Sequence, residues 1–113
     1  MDPTPNFPTD LIKGSITPLI LSLLADRPMY GYELAQTLNA RSNGALSFKE
    51  GTLYPALHKL ESEGLLSASW KDDSGAAKPR KYYRLTRSGK AELVRRTAEY
   101  RTFQSHILKL LPQ

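Results

Sequence analysis

The spacing of apolar residues predicts a helix in the first quarter of the chain. Its periodic positions are Ile16, Leu19, Ile20, Leu23 and Leu24. Thr17 suits the N-cap and Pro18 the first helical position, where a proline loses no hydrogen bond. We expect the helix to end near Asp26, because Pro28 disfavours helical geometry at the residue before it. Residues 10–15 are expected to add one turn ahead of it.

A second, shorter helix is predicted to begin after residues 29–32. Its inward-facing positions are Leu34, Ala35 and Leu38. We expect it to stop at Asn43 and Gly44, since these two residue types tolerate the left-handed backbone that closes many helices.

The third predicted helix has the clearest start signal. Ser47 and Glu50 have the spacing of a capping box, in which each side chain accepts a hydrogen bond from a free backbone N–H of the other residue. The buried face is formed by Leu53, Leu57 and Leu60. Gly64 is expected to end the helix. Pro55 is irregular here, because its ring meets the carbonyl of Gly51, so either the first turn is distorted or the helix begins near Gly51.

Beyond Gly64 the pattern changes from helical to alternating, which predicts a β-hairpin. The core-facing positions of its first strand are expected to be Leu66, Ala68 and Trp70. Residues 72–75 have the composition of a turn, and residues 81–85 form the returning strand. Of the neighbours Tyr82 and Tyr83, one should pack beneath the hairpin while the other faces outward.

A final helix is predicted to start after Thr86, which suits the N-cap, and to run to about Leu111. Apolar residues recur along it as a heptad seam that Arg96 interrupts. The seam residues are Leu93, Tyr100, Phe103, Ile107 and Leu110. A helix of about 25 residues is ~37 Å long, which exceeds one face of so small a domain. We therefore expect part of the seam to meet a second copy; the alternative is a helix folded wholly onto its own domain.

Composition narrows the class of protein. A chain of 113 residues is long enough for one domain with a modest core. The sequence contains no cysteine, which excludes disulfides, thiolate zinc sites and cysteine nucleophiles and fits a reducing cytoplasm. The longest apolar stretch, residues 16–25, is too short to cross a bilayer. Residues 1–9 are proline-rich and acidic, so they are interpreted as a flexible lead-in and not as a signal peptide.

The positive charge is concentrated in one part of the chain. The formal net charge is +5, and residues 49–90 carry nine basic and five acidic side chains. A stretch without any acid contains Lys78, Arg80, Lys81, Arg84, Arg87 and Lys90. Such a one-sided basic stretch suggests a polyanionic partner, although a solvated surface would have the same composition.

Two helices, a capped third helix and a basic hairpin follow one another in the order of a winged helix-turn-helix. With its leucines turned inward, the third helix presents a polar face, acid-free over its first turns, to a major groove. The candidate DNA-contacting residues of this helix are Lys49, Gly51, Thr52, Tyr54, Pro55, His58 and Lys59. Those of the hairpin, which would follow the phosphate backbone or the minor groove, are Lys78, Arg80 and Lys81. Packing within the protein is the alternative role for Tyr54 and for His58.

The predicted fold is mainly α with a small β-hairpin, that is, a winged helix-turn-helix over residues 10–86 and a long dimerisation helix over residues 87–113. Double-stranded DNA and a second copy of the chain are the expected partners. A protein-interaction adaptor is the main alternative, since winged helices also serve that role. An enzyme is disfavoured, because the chain has only two histidines and no glycine-rich phosphate loop. No metal or cofactor is expected.

Four segments closely resemble the PadR family of bacterial transcriptional regulators. They are MYGYEL at 29–34, GTLYPALHKLE at 51–61, EGLL at 63–66 and RKYYRLT at 80–86. The resemblance extends from about residue 11 to residue 93, and several separate segments occur in the right order and spacing. It implies a recognition helix at 49–63, a wing at 71–84, a dimer formed mainly through the C-terminal helix, a palindromic operator and, usually, repression.

The short C-terminal end resembles the compact subfamily, some members of which bind flat hydrophobic drugs between the subunits through a tryptophan on the final helix. Here the single tryptophan is Trp70, in the predicted hairpin, so the resemblance does not extend to drug sensing of that kind. Tyr100 and Phe103 could line an interfacial pocket, but a packed dimer seam is the favoured role for both. Whether a small-molecule effector exists is left open by the sequence.

Overall fold

A computed structural model describes residues 7–72 and 78–113 of the chain. In chain order the elements are α1 (Thr9–Leu24), β1 (Met29–Tyr30), α2 (Gly31–Arg41), α3 (Glu50–Ser62), β2 (Leu66–Lys71), β3 (Arg80–Leu85) and α4 (Arg87–Leu110). Most of the predicted lead-in, residues 1–6, and most of the predicted hairpin turn, residues 73–75, lie outside the described residues. The mainly helical fold with a small antiparallel sheet is the one expected from the sequence.

Helix α1 is continuous through Pro18, so the predicted start at Thr17 is wrong. An internal proline costs a helix about 3 kcal/mol or more because it loses one hydrogen bond and meets the preceding turn. Here Ile16 and Ile20 are buried on either side of it. Burial of an apolar face supplies most of a helix's stability in a protein, and this face holds α1 together across the proline.

Helix α3 begins at Glu50 with Lys49 as its N-cap, and no side chain caps it. The predicted Ser47–Glu50 capping box is therefore wrong. Phe48 is buried in the core, and this anchor fixes the path of the chain immediately before the helix. The helix runs through Pro55 and ends before Gly64, whose positive φ of 77° confirms the expected left-handed stop.

Three strands form one antiparallel sheet in the order β1-β3-β2. Strand β1 was not expected from the sequence, because two residues are too few to display an alternating pattern. It pairs Met29 with Tyr83 and Tyr30 with Tyr82. We call β2, β3 and the loop between them the wing. Its two strands are antiparallel, and their pairing runs from Leu66 opposite Leu85 to Lys71 opposite Arg80.

The core lies between the three N-terminal helices and one face of the sheet. Its buried members in the described chain are all apolar or aromatic: Ile16, Ile20, Leu21, Leu23, Leu24, Met29, Leu34, Leu38, Phe48, Leu53, Leu57, Leu60, Leu66 and Tyr83. As predicted, one of the two neighbouring tyrosines, Tyr83, packs beneath the wing, and Tyr82 lies on the other face of the sheet. This core turns the leucine face of α3 inward and therefore sets the direction of its opposite face.

Trp70 contradicts the expectation of a core residue. It lies opposite Lys81 in the hairpin, on the same face of the sheet as the buried Tyr83. However, 69% of the residue is exposed. Exposure rises along β2, and this face leaves the core beyond Ala68.

The start of α4 is joined to the end of α3. The hydroxyl of Thr86 donates to the carbonyl of Gly64 at 2.7 Å and accepts from the N–H of Gly89 at 3.0 Å. Thr86 is thus the N-cap that the sequence predicts. A Cβ at Gly89 would lie 2.1 Å from the carbonyl oxygen of Leu65, so the first turn of α4 rests directly on the backbone that follows α3.

Candidate nucleic-acid interface

Helix α3 has one buried and one exposed face, as its sequence predicts. Its anchor residues Leu53, Leu57 and Leu60 are buried. Of the seven candidate DNA-contacting residues, Thr52 is half-buried. The other six are exposed: Lys49, Gly51, Tyr54, Pro55, His58 and Lys59. The tertiary structure therefore leaves most of the candidate face accessible to a ligand.

The N-terminus of α3 lies at one end of this face. Because no side chain caps the helix, N–H groups of its first turn remain available to an anionic oxygen. A Cβ built on Gly51 would meet no atom within 4 Å. Packing within the protein does not require glycine at this position, and its presence leaves the backbone open to close approach from outside.

Tyr54 is both packed and exposed. Its ring lies over the first residue of α2, since a Cβ at Gly31 would be 2.8 Å from the Cε1 atom of Tyr54. The residue is nevertheless 38% exposed. The ring is therefore held in place from one side while part of it faces solvent, so the two roles considered for Tyr54 are compatible.

An ion pair links the wing to α3. The ammonium of Lys81 lies 3.1 Å from the Oε1 atom of Glu61. This hydrogen bond raises the pKa of Lys81 above its ordinary value, because it stabilises the charged form. Lys81 is half-buried, whereas Lys78 and Arg80 are exposed. Of the three predicted wing residues, Lys81 is thus the one that is ion-paired with α3.

Aromatic side chains and cations alternate on the face of the sheet that is turned away from the core. The rings of Tyr30 and Tyr82 meet edge to face with their centroids 5.3 Å apart. The Arg80 guanidinium lies 4.7 Å from the Tyr30 ring, and the Lys71 ammonium lies 5.1 Å from the Tyr82 ring. Cation–π contacts of this kind hold long basic side chains against the sheet while their charge remains near the surface.

A cavity of about 340 Å³ separates the exposed face of α3 from the wing. We call it the helix–wing cleft. The side chains that matter most for its chemistry are Tyr32, Tyr54, His58, Trp70, Arg80 and Lys81. The structure therefore brings Tyr54 and His58 of α3 to the same cleft as Arg80 and Lys81 of the wing. Tyr32 and Trp70 were not among the residues expected here, and the exposure of Trp70 follows from the tertiary structure alone.

Helix α4 turns the second half of its seam to solvent. Leu93 packs against the core of its own domain. The residues from 98 onward are exposed, including Phe103 at 63% and Leu110 at 82%. Tyr100 borders a groove of about 670 Å³ between α1 and α4 and shares a 3.0 Å hydrogen bond with Ser15.

Residues 20–95 match the model of the transcriptional regulator PadR-like family. The chain belongs to this family. The match includes all of α2, α3 and the wing as well as the first turns of α4. Membership confirms the resemblance that the sequence motifs indicated and places the chain among transcriptional regulators rather than enzymes.

Individual relatives agree with this assignment. A transcriptional regulator of Mycobacterium tuberculosis is 40% identical over 74 residues, which are 66% of this chain and 64% of that protein. A PadR family regulator from Eggerthella lenta superposes with a TM-score of 0.78 at 38% identity, covering 92% of this chain and 88% of the other. A transcriptional regulator from Clostridium thermocellum superposes with a TM-score of 0.83 at 29% identity, covering 92% and 100%. The PadR-like chain therefore has the winged helix-turn-helix fold of its family.

Two further observations concern the described residues of this PadR-like chain. None of their helices combines the length and the apolar character that crossing a membrane demands. Within the same ranges, no three histidine, cysteine, aspartate or glutamate side chains are grouped so that they could hold a metal ion.

Proposed function

We propose that this PadR-like regulator represses transcription by binding a palindromic operator as a homodimer. The observation that supports the proposal most directly is the helix–wing cleft, which is lined by Tyr54 and His58 of α3 and by Arg80 and Lys81 of the wing. In this proposal one duplex contacts both elements at once. The proposal keeps the division into a DNA-binding part at 10–86 and a dimerisation part at 87–113, and it places the protein in the cytoplasm, where it can reach the chromosome.

In this proposal α3 enters the major groove. Its first two turns present Gly51, Tyr54 and His58 toward the bases, and its uncapped N-terminus meets a phosphate. Lys78 and Arg80 of the wing follow the phosphate backbone beside the groove. The tyrosine hydroxyl and the histidine ring both donate and accept hydrogen bonds, so each can contact a base edge or a phosphate.

The second half of α4 forms the dimer in this proposal. The seam residues available to a second copy are Tyr100, Phe103, Ile107 and Leu110. Leu93 is already used within its own domain. Arg95 forms ion pairs with Glu92 and Glu99 on the same helix, so these charged side chains have partners within the monomer. A partner would stabilise the exposed apolar seam most, because burying apolar surface contributes a favourable free energy of about 25 cal/mol per Å².

Binding to duplex DNA as a function of salt tests the proposal. If about eight phosphates are neutralised per dimer, affinity should fall by at least about three orders of magnitude between ~50 and ~200 mM salt. Selection of bound sites from random DNA should yield a palindrome whose half-site centres lie about one helical turn, ~34 Å, apart. Absence of duplex binding, or binding that ignores salt, would contradict the proposal and favour a protein-interaction adaptor.

A further inference from the structure

Trp70 is the most exposed aromatic side chain in the described part of the chain. It lies on the face of β2 that continues from the core, yet 69% of it is accessible. Tryptophan is highly buried on average, and it is enriched at interfaces, where its ring packs and its N–H finds a partner. The packing of the domain therefore does not explain this residue.

The surroundings of Trp70 indicate what it can bind. It lines the helix–wing cleft together with Tyr54 and His58 of α3. Arg80 and Lys81 line the same cleft, and Lys81 is the direct cross-strand neighbour of Trp70. A ligand that fits this surface combines negative charge, which would approach Arg80 and the Glu61-paired Lys81, with an apolar face for the indole ring. The backbone of a DNA strand provides both, as a phosphate and the carbon face of a deoxyribose.

The geometry points to Trp70 as a further DNA-contacting residue, which packs its ring on a deoxyribose in the helix–wing cleft and donates its indole N–H to a phosphate oxygen. This inference rests on the proposed function and adds to it a contact that carries no charge. Tryptophan combines a large apolar surface with a single donor, so both halves of the contact use its ordinary chemistry. In the described chain α4 contributes no residue to this cleft, so the contact is separate from the proposed dimer seam.

Because Trp70 is the only tryptophan, its fluorescence reports directly on this position. The full-length protein is titrated at low salt with a duplex obtained by selection from random DNA. We expect the tryptophan emission to change in a saturable manner and the duplex to protect the indole from acrylamide quenching. Emission and quenching that are unaffected by a saturating duplex would overturn the inference.

Two variants measure the contribution of the contact. Trp70→Ala should weaken duplex binding about tenfold, as loss of a central aromatic contact does at interfaces, while Trp70→Phe should retain part of the affinity because it keeps an apolar ring. Since Trp70 is uncharged, neither variant should alter the slope of log affinity against log salt. Arg80→Ala should reduce that slope by about one.

The outcomes separate this inference from the proposed function. Trp70→Ala and Trp70→Phe should melt at the wild-type temperature, because the replaced side chain is largely exposed. If the wild-type protein binds duplex DNA and Trp70→Ala binds it equally well, the inference is wrong and the proposed function stands. If the wild-type protein binds no duplex, both are wrong.

Discussion

At the scale of single residues, four glycines show how differently the same residue type is used. Gly89 and Gly31 are closely packed. A Cβ added at Gly89 would lie 2.1 Å from the carbonyl oxygen of Leu65, and one added at Gly31 would lie 2.8 Å from the ring of Tyr54. Gly14 and Gly51 have open space where a Cβ would be. Glycine inside a helix costs stability relative to alanine, and the packing of the domain does not require it at position 51.

Gly51→Ala should separate stability from DNA binding. Replacing glycine by alanine inside a helix stabilises the helix by up to about 1 kcal/mol. The variant should therefore melt at a slightly higher temperature. The new methyl group would project from the face proposed to approach DNA, and we expect duplex affinity to fall several-fold. Thermal unfolding and duplex titration measure the two effects.

Gly14→Ala is the matched control, because its Cβ also meets open space. It should give a comparable gain in stability and leave duplex affinity unchanged. If Gly51→Ala binds duplex as tightly as the wild-type protein, position 51 does not approach the DNA.

Gly89→Ala should destabilise the protein. Its Cβ would collide with a backbone carbonyl, which cannot rotate away as a side chain can, and overpacking of this kind costs about 1–3 kcal/mol. Urea unfolding measures the change. Ser88→Ala replaces the exposed neighbour and should have little effect. Equal stability of Gly89→Ala and the wild-type protein would show that α4 does not rest on the turn after α3 as described.

At the scale of elements, an ion pair between Lys81 and Glu61 links the wing to α3. The ion pair is only partly buried, with about a quarter of the lysine side chain and a third of the glutamate side chain exposed. Pairs this accessible contribute about 0–1 kcal/mol. The raised pKa of Lys81 means that this contribution is present below the ordinary lysine pKa of 10.5 and is lost only as the pH rises through the higher folded-state value.

Glu61→Gln should strengthen duplex binding. The substitution removes a negative charge beside the helix–wing cleft and releases Lys81 for a phosphate, while stability should change by no more than about 1 kcal/mol. We expect affinity to rise several-fold at low salt and the difference to shrink at high salt, where charges are screened. Duplex titration at a series of salt concentrations is the measurement.

Glu63→Gln is the control for charge alone. It removes the same charge from the exposed end of the same helix, and no ion pair of Glu63 appears in the described structure. Its effect on affinity should therefore be smaller than that of Glu61→Gln. Weaker duplex binding by Glu61→Gln would mean that the ion pair is needed to hold the wing in position for DNA.

At the scale of the whole molecule, α4 links the recognition surface to the proposed partner. The hydroxyl of Thr86 and the close packing of Gly89 fix the start of the helix on the chain that follows α3. Its 24 residues make a rod of about 36 Å. A dimer formed at its far end would therefore set the distance between two copies of α3. In a palindromic operator this distance has to match the spacing of the two half-sites.

Phe103→Glu should convert the protein to monomers. The side chain is 63% exposed and belongs to the apolar seam, and a carboxylate there would be desolvated in a dimer at a cost of several kcal/mol. Solution mass by light scattering should fall to that of one chain, and tight operator binding should be lost. Ser105→Glu, which adds the same charge at an exposed position off the seam, should remain dimeric. An unchanged mass for Phe103→Glu would show that any dimer forms elsewhere.

Local sequence patterns were sufficient to predict several helix faces and helix ends of this protein. The leucine period gave α3 its buried and exposed faces, Thr86 marked the start of α4, and Gly64 marked the end of α3, because helical spacing, capping and left-handed turns depend on residues close together in the chain. The basic composition of the wing is likewise a local pattern of the sequence. The sequence motifs were also enough to indicate the family.

Only the tertiary structure decided where the core ends and how distant segments meet. Pro18 lies inside α1, and α3 starts at Glu50 after the buried Phe48, because burial outweighs local signals that are worth about 1–3 kcal/mol. Trp70 continues the alternation of β2 but leaves the core, since alternation specifies a face of the sheet and not how far the helices beneath it extend. The helix–wing cleft joins residues that are far apart in the sequence, and no local pattern encodes such a distance.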